Sequence, residues 1–305
     1  MSIDGQWGSL LEHVARLDGG VVYVVGESDT GKTTLSQWLI SQTDGRPRWF
    51  LDCDPGQSVL GPPATVGIAE AAGDAFTPPL LSFVGATSPK RHLLQTTAGI
   101  GRLLREVPAS ELVVCDSSGF VSGRTGSEFQ YSLMNLLRPA IIVAIEPGEV
   151  LENALRPFAA DNEVAVLPMS RAPGCRRKSR AARASYRRRR FTTHFEGAVE
   201  HRFHTDTVSL HGMVPHTPDA AAYRSRLCAL LDRRRLVRAL GIVVCVGVGR
   251  SGVRDLSVLS AAPAPDEITA VQLGSLRLAP EDLTYREPPA QTTPPETARG
   301  ETDGR

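Results

Sequence analysis

The stretch Gly26-Glu-Ser-Asp-Thr-Gly-Lys-Thr33 follows the apolar run VVYVV at 21–25 and precedes an amphipathic segment at 33–42. It fits G-x-x-x-x-G-K-[ST], a glycine-rich loop between a strand and a helix, and so commits the chain to an α/β layout built around a phosphate cradle. Gly26 and Gly31 allow the backbone geometry in which successive N–H groups, here those of Glu27, Ser28, Asp29 and Thr30, point at phosphate oxygens. Lys32 carries charge to the β- and γ-phosphates, and the Thr33 hydroxyl suits Mg²⁺. The helix that opens with Thr33 and Thr34 offers its positive end to the same anion. The loop predicts a bound nucleoside triphosphate.

The rest of the chain repeats the strand–helix theme. Apolar runs at 48–55, 80–84, 111–119, 139–146 and 163–168 alternate with amphipathic segments at 92–107, 127–137 and 149–159, after a first helix at 8–17. Continuous apolar strands separated by helices predict a parallel sheet covered on both faces, with ligands at the carboxyl ends of the strands. The loops at 26–33, 54–67, 85–91 and 116–126 fall on that edge. Net charge is only +1, so no whole-molecule field argues for nucleic acid or membrane, and no apolar run reaches the roughly 20 residues of a membrane span. The five cysteines form no C-x-x-C pair, and the N-terminus carries no basic and apolar leader pattern, which together predict reduced thiols in a cytoplasmic enzyme.

Residues 171–190 break the texture with ten basic residues, and no acid occurs between Glu163 and Glu196. The spacing from Lys178 to Phe195 is compatible with a helix. Such a run reads either as a solvated charged face or as a lid whose Arg183 and Arg187, one turn apart, close over a triphosphate, with Arg188, Arg189 and Arg190 tracking a nucleic-acid backbone. The predicted organisation is a phosphate-loop domain over 1–196 with its lid at about 171–195, a small β-rich domain at 197–285, and a disordered Pro/Thr-rich tail at 286–305.

Three further stretches carry chemistry. In LDCDPGQS, Asp52 and Asp54 share one face of a strand, and a carboxylate there binds Mg²⁺ through water, takes a proton from an attacking hydroxyl, or caps the following turn. Gln57 can orient a substrate but cannot act as a base. Asp116 of VVCDSSG stands at a strand tip, either near Mg²⁺ or capping the next loop. Phe120 stacks on a base or packs in the interior. His201 and His204 are spaced like a metal pair but lack a third ligand, and read as exposed strand residues.

Taken in order over about 20–285, GESDTGKTT, LDCDPGQS with GPPATVG, FVGATSP, VVCDSSGFVSG, SRAARASYRRRRFTTHFEG and LLDRRRLVRALGIV resemble the Clp1/Grc3/NOL9 family of polynucleotide 5′-hydroxyl kinases. The resemblance implies a P-loop kinase fold with an Arg-rich lid helix, and transfer of the γ-phosphate of ATP (or GTP) to the 5′-OH of RNA or DNA. It implies that Lys32 and Thr33 hold phosphate and Mg²⁺ and that Asp54 of the D-x-x-Q motif is the general base beside Gln57. Arg183 and Arg187 match the lid R-x-x-x-R when aligned on Phe195, with Arg180 as a substitute. Thr87 lies in a G-x-T-x-P stretch like the substrate clasp, and Phe120 falls where eukaryotic relatives carry a tryptophan. The chain opens almost at the phosphate-loop strand and so resembles the compact prokaryotic form, without the adenine-contacting N-terminal domain of eukaryotic members. The alternatives to a kinase are a P-loop ATPase switch and a nucleic-acid-binding scaffold.

Overall fold

The computed structural model describes residues 3–287 apart from 74, 173, 217–218, 250–251 and 262–263. The first part of the chain runs α1 (Ile3–Ala15), β1 (Gly20–Gly26), α2 (Lys32–Gln42), β2 (Arg48–Asp52), β3 (Thr65–Ala72), β4 (Ala75–Phe76) and β5 (Leu80–Phe83). It continues through α3 (Leu93–Leu104), β6 (Leu112–Asp116), α4 (Gly123–Leu137), β7 (Ile141–Ile145), α5 (Glu149–Ala159) and β8 (Ala165–Met169). The Arg-rich α6 (Arg180–His194) then leads into β9 (Val199–His204), β10 (Ser209–Gly212), a short α7 (Ala220–Tyr223) and β11 (Arg226–Leu231). Last come β12 (Val237–Gly249), β13 (Gly252–Ser260), β14 (Ala270–Leu278) and β15 (Tyr285–Arg286). Among the described residues no helix is long and apolar enough to cross a membrane.

The first sheet has the order β4-β3-β2-β6-β1-β7-β8, with β5 also on β3. Strands β2, β6, β1, β7 and β8 are parallel. The alternation of side chains along β1 explains the helices on both faces. Val21, Tyr23 and Val25 enter a core with Ile100 of α3, Leu133 of α4 and Leu155 of α5, while Val22 and Val24 meet Leu10 of α1 and Leu39 of α2. Tyr23 is the one polar group in the central strand, and its hydroxyl donates to Gln130 Oε1 at 2.5 Å.

Two expectations needed correction here. The strand expected over 48–55 stops at Asp52, so Asp52 and Asp54 are not strand neighbours on a shared face. The stretch 55–67, predicted to be an irregular loop, ends inside β3, whose sequence TVGIAEAA is too rich in small residues to announce a strand. No helix separates β2, β3 and β5, so nothing carries the chain back across the sheet, and β3 pairs antiparallel with both.

The second sheet has the order β10-β14-β11-β12-β13-β9, with β15 on β14, and is antiparallel apart from β10 against β14. Its inner face does not close on itself. Leu227, Ala229, Leu240, Ile242 and Leu276 share one core cluster with Phe83 and Ala64 of the first sheet's edge, with Phe191 of α6 and with Phe195, which caps that helix. Helix α6 is thus anchored between the sheets by Phe191 and by Phe195 at its C-terminal cap. Residues 288–305, most of the stretch read as a disordered tail, lie outside the described residues, while Arg286 is paired in β15.

Candidate active site

Parallel register aligns Val24, Asp52 and Asp116 across three neighbouring strands, so the loops that follow them emerge on one edge. The phosphate loop leaves β1 there. Gly26 is required because a Cβ would lie 2.7 Å from the Ile145 carbonyl oxygen, and Gly31 because its φ of +96° is left-handed. The Glu27 carbonyl accepts hydrogen bonds from Thr30 Oγ1 (2.9 Å) and Lys32 Nζ (2.6 Å) and ties the loop together. Lys32 is buried, which lowers its pKa, while Asp116, Asp54, Asp29 and Glu27 act in the opposite direction. Gly119 presses on the loop from the side, since a Cβ there would fall 2.2 Å from Ser28 Oγ.

Thr33 Oγ1 donates to Asp116 Oδ2 at 2.6 Å. The other Asp116 oxygen, Oδ1, is buried and has no hydrogen-bond partner among the described residues, and burial followed by the nearby Asp52 raises this carboxyl to about 7. A hydroxyl and an orphaned carboxylate oxygen are hard oxygen donors of the kind Mg²⁺ prefers.

The two aspartates of LDCDPGQS have separated. Asp52 is buried and accepts from Ser58 Oγ (2.8 Å), Val59 N (2.7 Å) and Asp54 N (3.2 Å), so it caps the loop that follows β2. Asp54 faces the cleft, with its Oδ1 accepting from Gly56 N (2.8 Å) and Gln57 N (3.1 Å). Burial raises the Asp52 carboxyl pKa, while the hydrogen bond from Ser58 holds it down.

Helix α6 closes over this edge. Ser179 caps it by accepting from Ala182 N at 3.1 Å. Arg183 donates to Asp29 Oδ2 at 2.5 Å, and Lys178 N donates to the same oxygen at 3.0 Å. Arg187 Nε donates to Tyr285 Oη at 2.5 Å with its guanidinium over that ring, 5.1 Å from the centroid. Arg190 does not face outward as expected for a residue tracking a nucleic-acid backbone. Its guanidinium donates to the carbonyls of Val59 (3.2 Å) and Gly61 (2.6 Å), pinning the helix to the loop that Asp52 caps. Arg188 and Arg189 are exposed.

Of the residues predicted for the site, Ser28, Asp29, Gly31, Lys32, Thr33, Thr34, Asp54, Gln57, Thr87, Phe120, Arg183 and Arg187 line one cleft of about 770 Å³. Gly26, Glu27, Thr30 and Asp116 are not on its wall: Gly26, Thr30 and Asp116 are buried, while Glu27 and Arg180 are exposed. Phe120 both lines the cleft and packs on Phe129, with ring centroids 6.1 Å apart. His201 and His204 sit on β9, at the far edge of the second sheet.

Two wall residues, Tyr186 and Lys178, and one partner of a wall residue, Glu287, were not expected from the sequence. Tyr186 lines the cleft and donates to the Ser58 carbonyl at 2.7 Å, and Lys178 reaches Gln57 Oε1 at 3.4 Å. Glu287 accepts a hydrogen bond from Thr87 Oγ1. Tyr186 could have been found by its place one turn from Arg183 and Arg190; Glu287 had no local signal at all.

Comparison with known proteins adds the following. The sequence model of a family described as the P-loop domain of the mRNA cleavage and polyadenylation factor CLP1 matches residues 26–197, more than half of the chain. A polyribonucleotide 5′-hydroxyl kinase of Pyrococcus horikoshii is 27% identical over 199 residues, 63% of this chain and 54% of that protein. Another, of Methanocaldococcus jannaschii, is 26% identical over 186 residues, covering 58% and 50%. The chain spans about half the length of these curated relatives. Among solved structures, a complex of wild-type Clp1p with a Pcf11p segment has the same fold, with a TM-score of 0.65 at 15% identity over 89% of this chain and 78% of that one.

Proposed function

The chain belongs to the CLP1 P-loop family, and from that membership we propose a polynucleotide 5′-hydroxyl kinase that transfers the γ-phosphate of ATP (or GTP) to the 5′-OH of RNA or DNA. One observation carries the reading: a phosphate loop, a solvent-facing carboxylate and two helix-borne arginines converge on a single cleft. A nucleotide anchor alone needs only the first.

In this reading the loop's N–H groups and Lys32 hold the triphosphate. Asp54, oriented by two backbone N–H groups on Oδ1, takes the proton from the 5′-hydroxyl as it attacks. Gln57 and Thr87 position the acceptor, and Phe120 offers a flat apolar surface to its terminal base. Arg183 exchanges Asp29 for the charge developing on the transferring phosphoryl group, the part an arginine finger plays. Thr33 and Asp116 would hold Mg²⁺, which when bound neutralises charge on the β- and γ-phosphate oxygens.

The names of the archaeal relatives make RNA the first acceptor to try. The full chain is incubated with γ-labelled ATP and a 5′-OH RNA or DNA oligomer. Label is expected on the oligomer's 5′ end. Release of labelled phosphate with an unlabelled oligomer would replace the kinase with an ATPase switch, and no turnover at all would leave a binding scaffold.

A further inference from the structure

A second, smaller cavity lies beside the phosphate loop. It is about 30 Å³ in volume and is lined by Trp7 of α1, Thr34 and Leu35 of α2, Met169 at the end of β8, and Ser170 and Cys175 of the chain that follows. Gly31, Thr34, Ala172 and Cys175 line both this cavity and the large cleft, so the two spaces meet at the loop. Asp54 and Gln57 occupy the large cleft only.

This arrangement gives a bound triphosphate a direction. Its γ end must face Asp54 for transfer to a hydroxyl, so its α end, and the nucleoside beyond, leave on the opposite side of Gly31 and Thr34. On that side stands an aromatic wall. Trp7 packs on Trp38 with ring centroids 4.8 Å apart, which holds the indole in place. The chain after β8 is tied to α1 by two hydrogen bonds between Ser170 and Gln6. Ser170 N donates to Gln6 Oε1 at 2.9 Å, and Gln6 Nε2 donates to Ser170 Oγ at 3.3 Å. Cys175 closes the top, where its Sγ lies 2.9 Å from the position of a Cβ on Gly31.

Resting on the donor-site reading above, we propose that this cavity is the base subsite: a purine enters between Trp7 and the residues Met169, Ser170 and Cys175, stacks on the indole, and meets the Gln6–Ser170 pair with its polar edge. The cavity as it stands has room for little more than a water, so the base seats by lifting Cys175 and its neighbours off Gly31. Trp7 lies outside residues 26–197, so the family match says nothing of it. A purine is favoured over a pyrimidine because its larger ring system covers more of the indole.

The test separates base from phosphate. Calorimetry on the full chain compares the Mg²⁺ complexes of ATP, GTP, CTP and inorganic tripolyphosphate. A purine triphosphate is expected to bind roughly 5–150-fold tighter than tripolyphosphate, the range of one base stacked on an aromatic ring, and tighter than CTP. Trp7→Ala should erase that margin while leaving tripolyphosphate binding unchanged, and Trp7→Phe should keep most of it. If tripolyphosphate matches ATP in the wild-type chain, the base subsite is wrong and the phosphate loop stands. If neither binds, the donor-site reading fails and the subsite falls with it. Photocrosslinking of the unsubstituted chain with 8-azido-ATP covers the case in which Trp7→Ala does not fold. Label on peptides containing Trp7 or Met169–Cys175 supports the subsite, and label confined to other peptides overturns it.

Discussion

Asp52 and Asp54 are two residues apart and have opposite fates, because the strand ends between them. Asp52 is drawn inward by four donors that need an acceptor, and Asp54 is left at the rim of the cleft. The base assignment therefore predicts that Asp54→Asn leaves Mg²⁺-ATP binding within about twofold while lowering transfer to a 5′-OH oligomer by roughly 10²–10⁴-fold, read by calorimetry and labelled transfer. Transfer at the wild-type rate in that variant would remove Asp54 from the chemistry. Lys32→Ala should lose binding and transfer together. Arg183→Ala is expected to cut kcat by roughly 10³-fold or more with little change in nucleotide affinity, because its charge is needed when the phosphoryl group is in flight. If instead KM rises at constant kcat, Arg183 only binds.

At the scale of elements, α6 shows how a helix with so much like charge is held. Its N-terminal half is satisfied by Asp29, its middle by Tyr285 and main-chain carbonyls, and its end by burial of Phe191 and Phe195. His194 sits in that last turn, where its Nε2 accepts from Leu240 N at 2.9 Å. Burial, then the Arg190 charge, lowers its pKa from 6.5 to about 4. The folded pKa lies below the unfolded one, so the stabilising share is complete above about pH 6.5 and is lost as pH falls through about 4. The share is about 3 kcal/mol, from 1.36 kcal/mol per pKa unit. His194→Gln keeps an acceptor for Leu240 without a proton to gain. Its melting temperature should therefore fall less than the wild type's between about pH 7 and pH 4, and equal falls would mean the acid sensitivity arises elsewhere.

At the scale of the whole molecule, the two sheets meet where Gly85 passes Gly274. Gly85 has φ +78°, and a Cβ on it would stand 2.6 Å from the Gly274 Cα. Gly85→Ala combines a left-handed alanine with an overlap against backbone, a cost of about 2–4 kcal/mol that urea unfolding should report. Trp7, Trp38 and Trp49 all belong to the first sheet's layers, so tryptophan fluorescence follows that part while far-ultraviolet circular dichroism follows both sheets. Coincident transitions are expected because the two sheets share a core; separated ones would show that each folds alone. The phosphate loop, the parallel strands around it and the helical nature of the Arg-rich stretch were legible in the chain's residue order, since each rests on a local rule of spacing or backbone freedom. Strand β3 was not, because its small residues become a strand by pairing rather than by propensity. Spacing alone put Asp52 and Asp54 on one strand face, with only the family resemblance singling out Asp54, left Arg190 as one of a run, and could give neither Glu287 nor Trp7 a place at the site. Those assignments come from contacts between residues far apart in sequence, and burial sets them: a polar group taken from water must find a partner, and the fold determines which one lies within reach.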